Sequence, residues 1–141
     1  MKRFLVRALL LVVVGAGIAA VVAWPRINDV ATGKTPEYPD LVPATFSASE
    51  ARVFEATQSV LGELPRWEIV GVGSGPGGSV IHALHTTPVL RFKDEVTINI
   101  RRKAGRTTVE VRSRSRVGKW DFGQNARNIR ELLAALQARV S

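Results

Sequence analysis

From Phe4 to Trp24 the chain is one apolar run, interrupted only by Arg7 and closed by Pro25-Arg26. A helix needs about 20 such residues to cross a bilayer, so residues 1–26 are expected to form a transmembrane anchor. The other hydrophobic stretches are short, alternating or helically periodic and do not compete for that role. The flanks set an orientation. Lys2, Arg3 and Arg7 stand at the start without an acid, whereas Arg26 is soon followed by Asp29, Glu37 and Asp40. A single-pass protein with a cytoplasmic N-terminus and an extracytoplasmic domain is expected, periplasmic in a Gram-negative bacterium. The alternative is a cleaved signal peptide ending near Val21 and Ala23. Its apolar core would exceed the usual ~7–15 residues and would put bulky Trp24 just after the cut, which favours an uncleaved anchor. Trp24 suits the outer headgroup level, and Arg7 can snorkel along its own stem.

The 141 residues then leave room for one domain of roughly 100 residues. Absence of cysteine removes disulfides, thiolate metal sites, thiol nucleophiles and a lipid-modified N-terminus. The formal charge of +8 is unevenly spread: residues 27–65 hold 2 basic and 6 acidic groups, residues 66–119 hold 11 and 4, and residues 120–141 hold 3 and 2. The positive field therefore belongs to the middle of the chain.

Residues 27–45, with Gly33, Pro36, Pro39 and Pro43 and no periodicity, read as an extended linker whose second half lies on the domain. Ser47-Ala48-Ser49-Glu50 has the form of a capping box and predicts a helix start there. Val53, Phe54, Thr57, Val60, Leu61 and Leu64 follow at helical spacing until Pro65. Strands are predicted over 67–72, 79–86, 95–101 and 107–117, the last two from clean period-two alternation, with Gly73 to Gly78 as a hairpin turn. Asp121 and Gln124 open a second helix whose stripe is Ala126, Ile129, Leu132, Leu133, Leu136 and Val140. The fold class expected for residues 46–141 is therefore α+β, in the order αββββα: a four-stranded antiparallel sheet with two helices on one face, behind the N-terminal transmembrane helix.

Arg112, Arg114 and Arg116 share one face of the last strand, and Arg101 should join them from its neighbour. Either this cluster receives phosphate or carboxylate groups, such as anionic lipid, glycan or an acidic envelope protein, or it is a solvated face paired locally with Glu68, Glu95 and Glu110. His82 and His85 are three apart on a strand and face opposite sides, so no metal site is expected. The Gly73–Gly78 loop lacks the Gly-Lys-Ser/Thr ending and the following helix of a phosphate cradle. Asp94 and Glu95 are adjacent and diverge on an extended chain, which leaves no paired carboxylates for acid–base work. Nucleic-acid binding is disfavoured by the sparse aromatics, 6% of residues, and by the expected export.

The stretch from Arg112-Ser113-Arg114-Ser115-Arg116-Val117-Gly118 through Asp121-Phe122-Gly123 to Asn125 and Arg130 resembles the signature of the uncharacterised domain of unknown function 1499 family. Phe92-Lys93-Asp94-Glu95-Val96 is similar to another segment of that family, and Tyr38-Pro39-Asp40-Leu41 to the domain entry of its membrane-attached bacterial members. The resemblance covers about residues 37–139. The Cys-containing N-terminal motif of some members is missing, so any role tied to it does not transfer. The resemblance implies no established activity. It does imply a junction at which Arg112, Ser113, Ser115, Arg116, Gly118, Asp121, Asn125 and Arg130 converge, with Asp94 held there by Arg116. Gly118 suits a positive-φ turn and Asp121 a helix cap. The functional expectation is a binding or accessory module of the cell envelope for anionic groups or a partner protein, with no catalytic residues and no cofactor. The alternative is a hydrolase or transferase acting on phosphorylated envelope material, with Asp94 or Asp121 as acid or base.

Overall fold

Among the residues that the computed structural model describes, 2–23 and 25–140, the elements run α1 (Lys2–Ala23), β1 (Asp29–Ala31), β2 (Ala44–Phe46), α2 (Glu50–Glu63), β3 (Trp67–Gly75), β4 (Gly78–Thr86), β5 (Lys93–Lys103), β6 (Arg106–Ser115) and α3 (Gln124–Val140). Trp24, read above as an interfacial residue, lies outside the described residues. The strands form one antiparallel sheet in the order β1-β6-β5-β4-β3, with β2 also paired to β6. The sheet thus has six strands and the described chain three helices, which corrects the expected four-stranded sheet with two helices.

The two extra strands come from residues 27–45, the supposed linker. β1 pairs with Arg112–Arg114 and β2 with Thr107–Val109, so together they occupy the outer edge of β6. Thr32 fills the gap between them: its backbone N–H donates to Val111 O at 3.0 Å, and its hydroxyl accepts from Val111 N at 3.1 Å. Strands of three residues cannot display a period-two pattern, and the prolines between them suppress any other signal.

The membrane-spanning helix expected over residues 1–26 is also corrected. No helix among the described residues is long and apolar enough to cross a membrane. Arg7 lies inside α1, and the apolar run beyond it, residues 8–23, measures only about 24 Å at ~1.5 Å per residue against the ~30 Å of a hydrocarbon core.

The core forms on one sheet face. Ile81 and Ala83 of β4, Val96, Ile98 and Ile100 of β5, and Val109 and Val111 of β6 meet Val53, Val60 and Leu61 of α2 and Ile129, Leu132 and Leu136 of α3. The α2 cap is shifted from expectation. Ser49, not Ser47, is the N-cap, accepting from Arg52 N at 3.2 Å. Glu50 is thereby freed for tertiary work, accepting from the Ser79 hydroxyl at 2.6 Å and from Arg102 N at 3.3 Å. At the β3–β4 hairpin, Gly78 has φ +111°, and a Cβ there would stand 2.3 Å from Ile100 O, so only glycine fits.

Candidate functional site

Toward one end of the sheet the buried face turns from apolar to polar. Trp67 is opposite His85, His85 opposite Asp94, and Asp94 opposite Ser115, which makes one transverse rung across β3, β4, β5 and β6. On β6, Ser113 adds a second hydroxyl one step inward on the same face. The first turns of α3 lie over this end and bring down Asn125 and Asn128, which share the buried stripe with Ile129 and Leu132. All of these polar side chains are buried or nearly so, and Asp94 is 1% exposed.

Apart from His85, whose buried Nδ1 has no hydrogen-bond partner among the described residues, these side chains bond to one another. Ser115 Oγ donates to Asp94 Oδ1 at 2.9 Å, and Asn128 Nδ2 donates to Asp94 Oδ2 at 2.9 Å. Ser113 Oγ donates to Asn125 Oδ1 at 2.6 Å, while Asn125 Nδ2 donates to Ser115 Oγ at 2.8 Å and to Asn28 O at 3.1 Å. Asp121 closes the helix end, accepting from Gly123 N at 2.8 Å and Asn125 N at 2.9 Å. Gly118 and Gly123 have positive φ, as a tight strand-to-helix passage requires. Residues just before β1 are tied in as well, since Asn28 Nδ2 donates to Gly118 O at 2.6 Å and the Arg26 guanidinium sits 4.9 Å over the Trp120 ring.

Above this floor opens a cavity of about 270 Å³. Asp94, Ser115 and Asp121 reach it from below, and Leu90, Phe92, Val117, Trp120 and Phe122 supply apolar walls. The β4–β5 turn is braced across its mouth by Thr87 N donating to Phe92 O at 2.8 Å and Phe92 N to Thr87 Oγ1 at 2.9 Å. That brace holds Val89 and Leu90 out at the rim, 85% and 67% exposed. A larger concavity of about 490 Å³ lies on the opposite sheet face. Both acids in its lining are engaged, Asp29 by Arg112 and Glu110 by Arg101.

The structure brings Asp94, Ser113, Ser115, Asp121 and Asn125 together, whereas Arg112, Arg116 and Arg130 stand apart from them. Asp94 is held by Ser115 and Asn128, whereas Arg116 instead donates to Glu95 at 2.8 Å. Arg130 stands outside the cluster and grips Asp40 through Nε and Nη2 at 2.9 and 3.0 Å, with its guanidinium 5.5 Å from the Tyr38 ring centroid. The basic face is largely paired: Arg101 meets Glu110 at 2.7 Å, Arg112 makes a two-pronged bond to Asp29, and Arg116 takes Glu95. Arg114 lends its charge to Asp29 without a hydrogen bond. The Arg112 contact holds the Asp29 carboxyl below its ordinary value, and Asp29 in turn raises Arg112. His82 and His85 fall on opposite faces, and only His85 joins the rung.

Sequence reasoning missed Asn128, His85 and the whole apolar rim. Asn128 had a readable signal, since it lies at i+3 from Asn125 and i−4 from Leu132 on the buried stripe. The rim had none: Val89, Leu90, Phe92, Trp120 and Phe122 sit in two loops that only the fold brings together.

A family model described as protein of unknown function (DUF1499) matches residues 22–136, a span that contains every residue of the rung, the network and the rim. No curated protein and no solved structure matches the chain.

Proposed function

The chain belongs to the DUF1499 family of proteins of unknown function, and from that starting point we propose that it is a non-catalytic binding module that takes a small ligand in the cavity at the start of α3. One observation carries the reading: a cavity with apolar walls and exposed apolar rim residues lies over a polar floor of Asp94, Ser115 and Asp121. Exposed apolar side chains gathered around a concavity are the usual mark of a recognition site, and the cavity is at the small end of the ~300–1,000 Å³ typical of ligand pockets.

The same floor argues against the hydrolase or transferase alternative. Neither serine hydroxyl is hydrogen-bonded to an imidazole, and both Asp121 oxygens accept backbone amides in a capping role. A general base needs a free site within reach of the proton it takes. The paired state of Arg101, Arg112 and Arg116 likewise moves the binding reading away from the basic face and toward the cavity.

Titration of the full chain with hexan-1-ol, followed by amide chemical shifts, tests this. Shifts are expected to cluster at residues 87–92 and 115–127 and to vanish in Val117→Trp, which fills the cavity with an indole. Shifts that are absent, or scattered over the sheet, overturn the proposal.

A further inference from the structure

Asp94 is a carboxylate 1% exposed that has no Lys or Arg partner among the described residues, and the nearest basic group, His85 Nδ1 at 3.9 Å from Asp94 Oδ2, is beyond hydrogen-bond distance. Its hydrogen bonds come from neutral donors, the Ser115 hydroxyl and the Asn128 amide. Burying an ion without an opposite charge is costly, and proteins ordinarily pair such groups. A carboxylate offers about four lone-pair sites, and two bonds leave roughly half of them open. Asp94 lines the cavity, together with Ser115 and Asp121.

The charges around the cavity point the same way. Asp94 and Asp121 both line it, against a single cation, Arg127. That guanidinium is turned to other partners, Phe122 O at 3.0 Å and Gln124 Oε1 at 3.1 Å. The lining therefore carries one net negative charge at its polar end, beneath walls made of Leu90, Phe92, Val117 and Trp120. A metal ion fits this poorly, because no group of three or more His, Cys, Asp or Glu that could hold one exists among the described residues.

We propose that the ligand of this cavity is an organic primary ammonium: a single cationic head that meets Asp94 at the floor and an apolar body that lies against the rim. The inference rests on the binding reading above and names its ligand class. An ammonium supplies both the missing opposite charge and donors for the open lone pairs, and charge-assisted hydrogen bonds of this kind are about twice as strong as neutral ones. The aliphatic or aromatic body replaces water over Leu90 and Phe92, whose exposed surface is otherwise wetted.

The test compares hexylammonium with hexan-1-ol, two probes with the same body and different heads, on the full chain by amide chemical shifts. Hexylammonium is expected to bind at least about tenfold more tightly, with its advantage lost in Asp94→Asn. Because that variant disturbs the Asn128 contact, Arg91→Glu provides a second probe at an exposed position beside the rim that does not line the cavity, where reversing a charge should strengthen hexylammonium and leave hexan-1-ol unchanged. Equal affinity of the two probes for the cavity overturns the ammonium proposal and leaves the binding reading standing. Failure of both to bind overturns both. An ammonium preference that persists in Asp94→Asn and does not change in Arg91→Glu places the charge recognition elsewhere and also overturns the proposal.

Discussion

His85 and Asp94 stand opposite each other on β4 and β5, each 1% exposed, with His85 Nδ1 3.9 Å from Asp94 Oδ2 and without a hydrogen-bond partner. The two residues share one rung yet make opposite contributions to it. His85 keeps a ring against Trp67, with centroids 5.1 Å apart, at the expense of an orphaned buried nitrogen. Replacing a buried unsatisfied group by an apolar one of similar volume is neutral or stabilising, whereas removing an acceptor strands its donors. His85→Leu is therefore expected to melt no lower than the native chain. Asp94→Leu, which strands the Ser115 hydroxyl and Asn128 amide, should lose roughly 2–4 kcal/mol. Thermal melts of the two variants decide it, and a drop of similar size in both would refute the distinction.

Ser115 tests the network from the other strand. Its hydroxyl donates to Asp94 and accepts from Asn125, so it links β5, β6 and α3. Ser115→Ala should cost about 1.5–3 kcal/mol, the range for a hydrogen bond to a charged group. Urea unfolding should show a lower midpoint at an unchanged slope, since the native fold and its buried area persist.

The β3–β4 hairpin allows a backbone prediction with an internal control. Gly78→Ala must place a methyl 2.3 Å from Ile100 O at φ +111°, while a Cβ at Gly77 meets nothing within 4 Å. Strain of this kind costs of order 1–3 kcal/mol, with the clash in addition. Gly78→Ala is expected to lose at least about 2 kcal/mol and Gly77→Ala less than about 1, measured by denaturant midpoint.

Much of this architecture was legible where a period had room to repeat. Val96, Ile98 and Ile100, or Ile129, Leu132 and Leu136, announce a buried face because several turns or pleats repeat the same signal. β1 and β2 were not legible, since Asp29–Ala31 and Ala44–Phe46 are too short to alternate and find their place only on the edge of β6. Asp94, Ser113 and Ser115 carry the period of a core face but polar side chains, so their burial depends on partners in α3 that the local sequence does not reveal. On the Arg face the pairings with Glu110 and Glu95 were legible from neighbouring strands, while the acid that answers Arg112 was not, because it comes from Asp29, 83 residues away.

That long-range pair sets the last prediction. Asp29 of β1 accepts from Arg112 Nε at 2.8 Å and makes a second contact with Nη2, pinning the short edge strand to β6. The hydrogen bond to Arg112, opposed by some desolvation and helped by the charges of Arg112 and Arg114, lowers the Asp29 carboxyl below its ordinary 3.8 in the folded chain. The unfolded chain then binds the proton more readily, so stability from this pair is fully present above the ordinary value and disappears as pH falls through the lower folded value. Both side chains are partly exposed, at 35% and 55%, and solvent screening holds the contribution to well under ~1 kcal/mol. Asp29→Asn should accordingly be slightly less stable than the native chain near neutral pH, and the gap should close as the pH falls through the lowered folded value, where the native carboxyl is itself protonated. Paired urea titrations across that range read the difference directly. A gap that stays constant as the pH falls would mean that Asp29 supports β1 through its shape and not its charge. High salt should shrink the neutral-pH gap in the same samples, because a pair this exposed is screened within a Debye length of ~3 Å at 1 M.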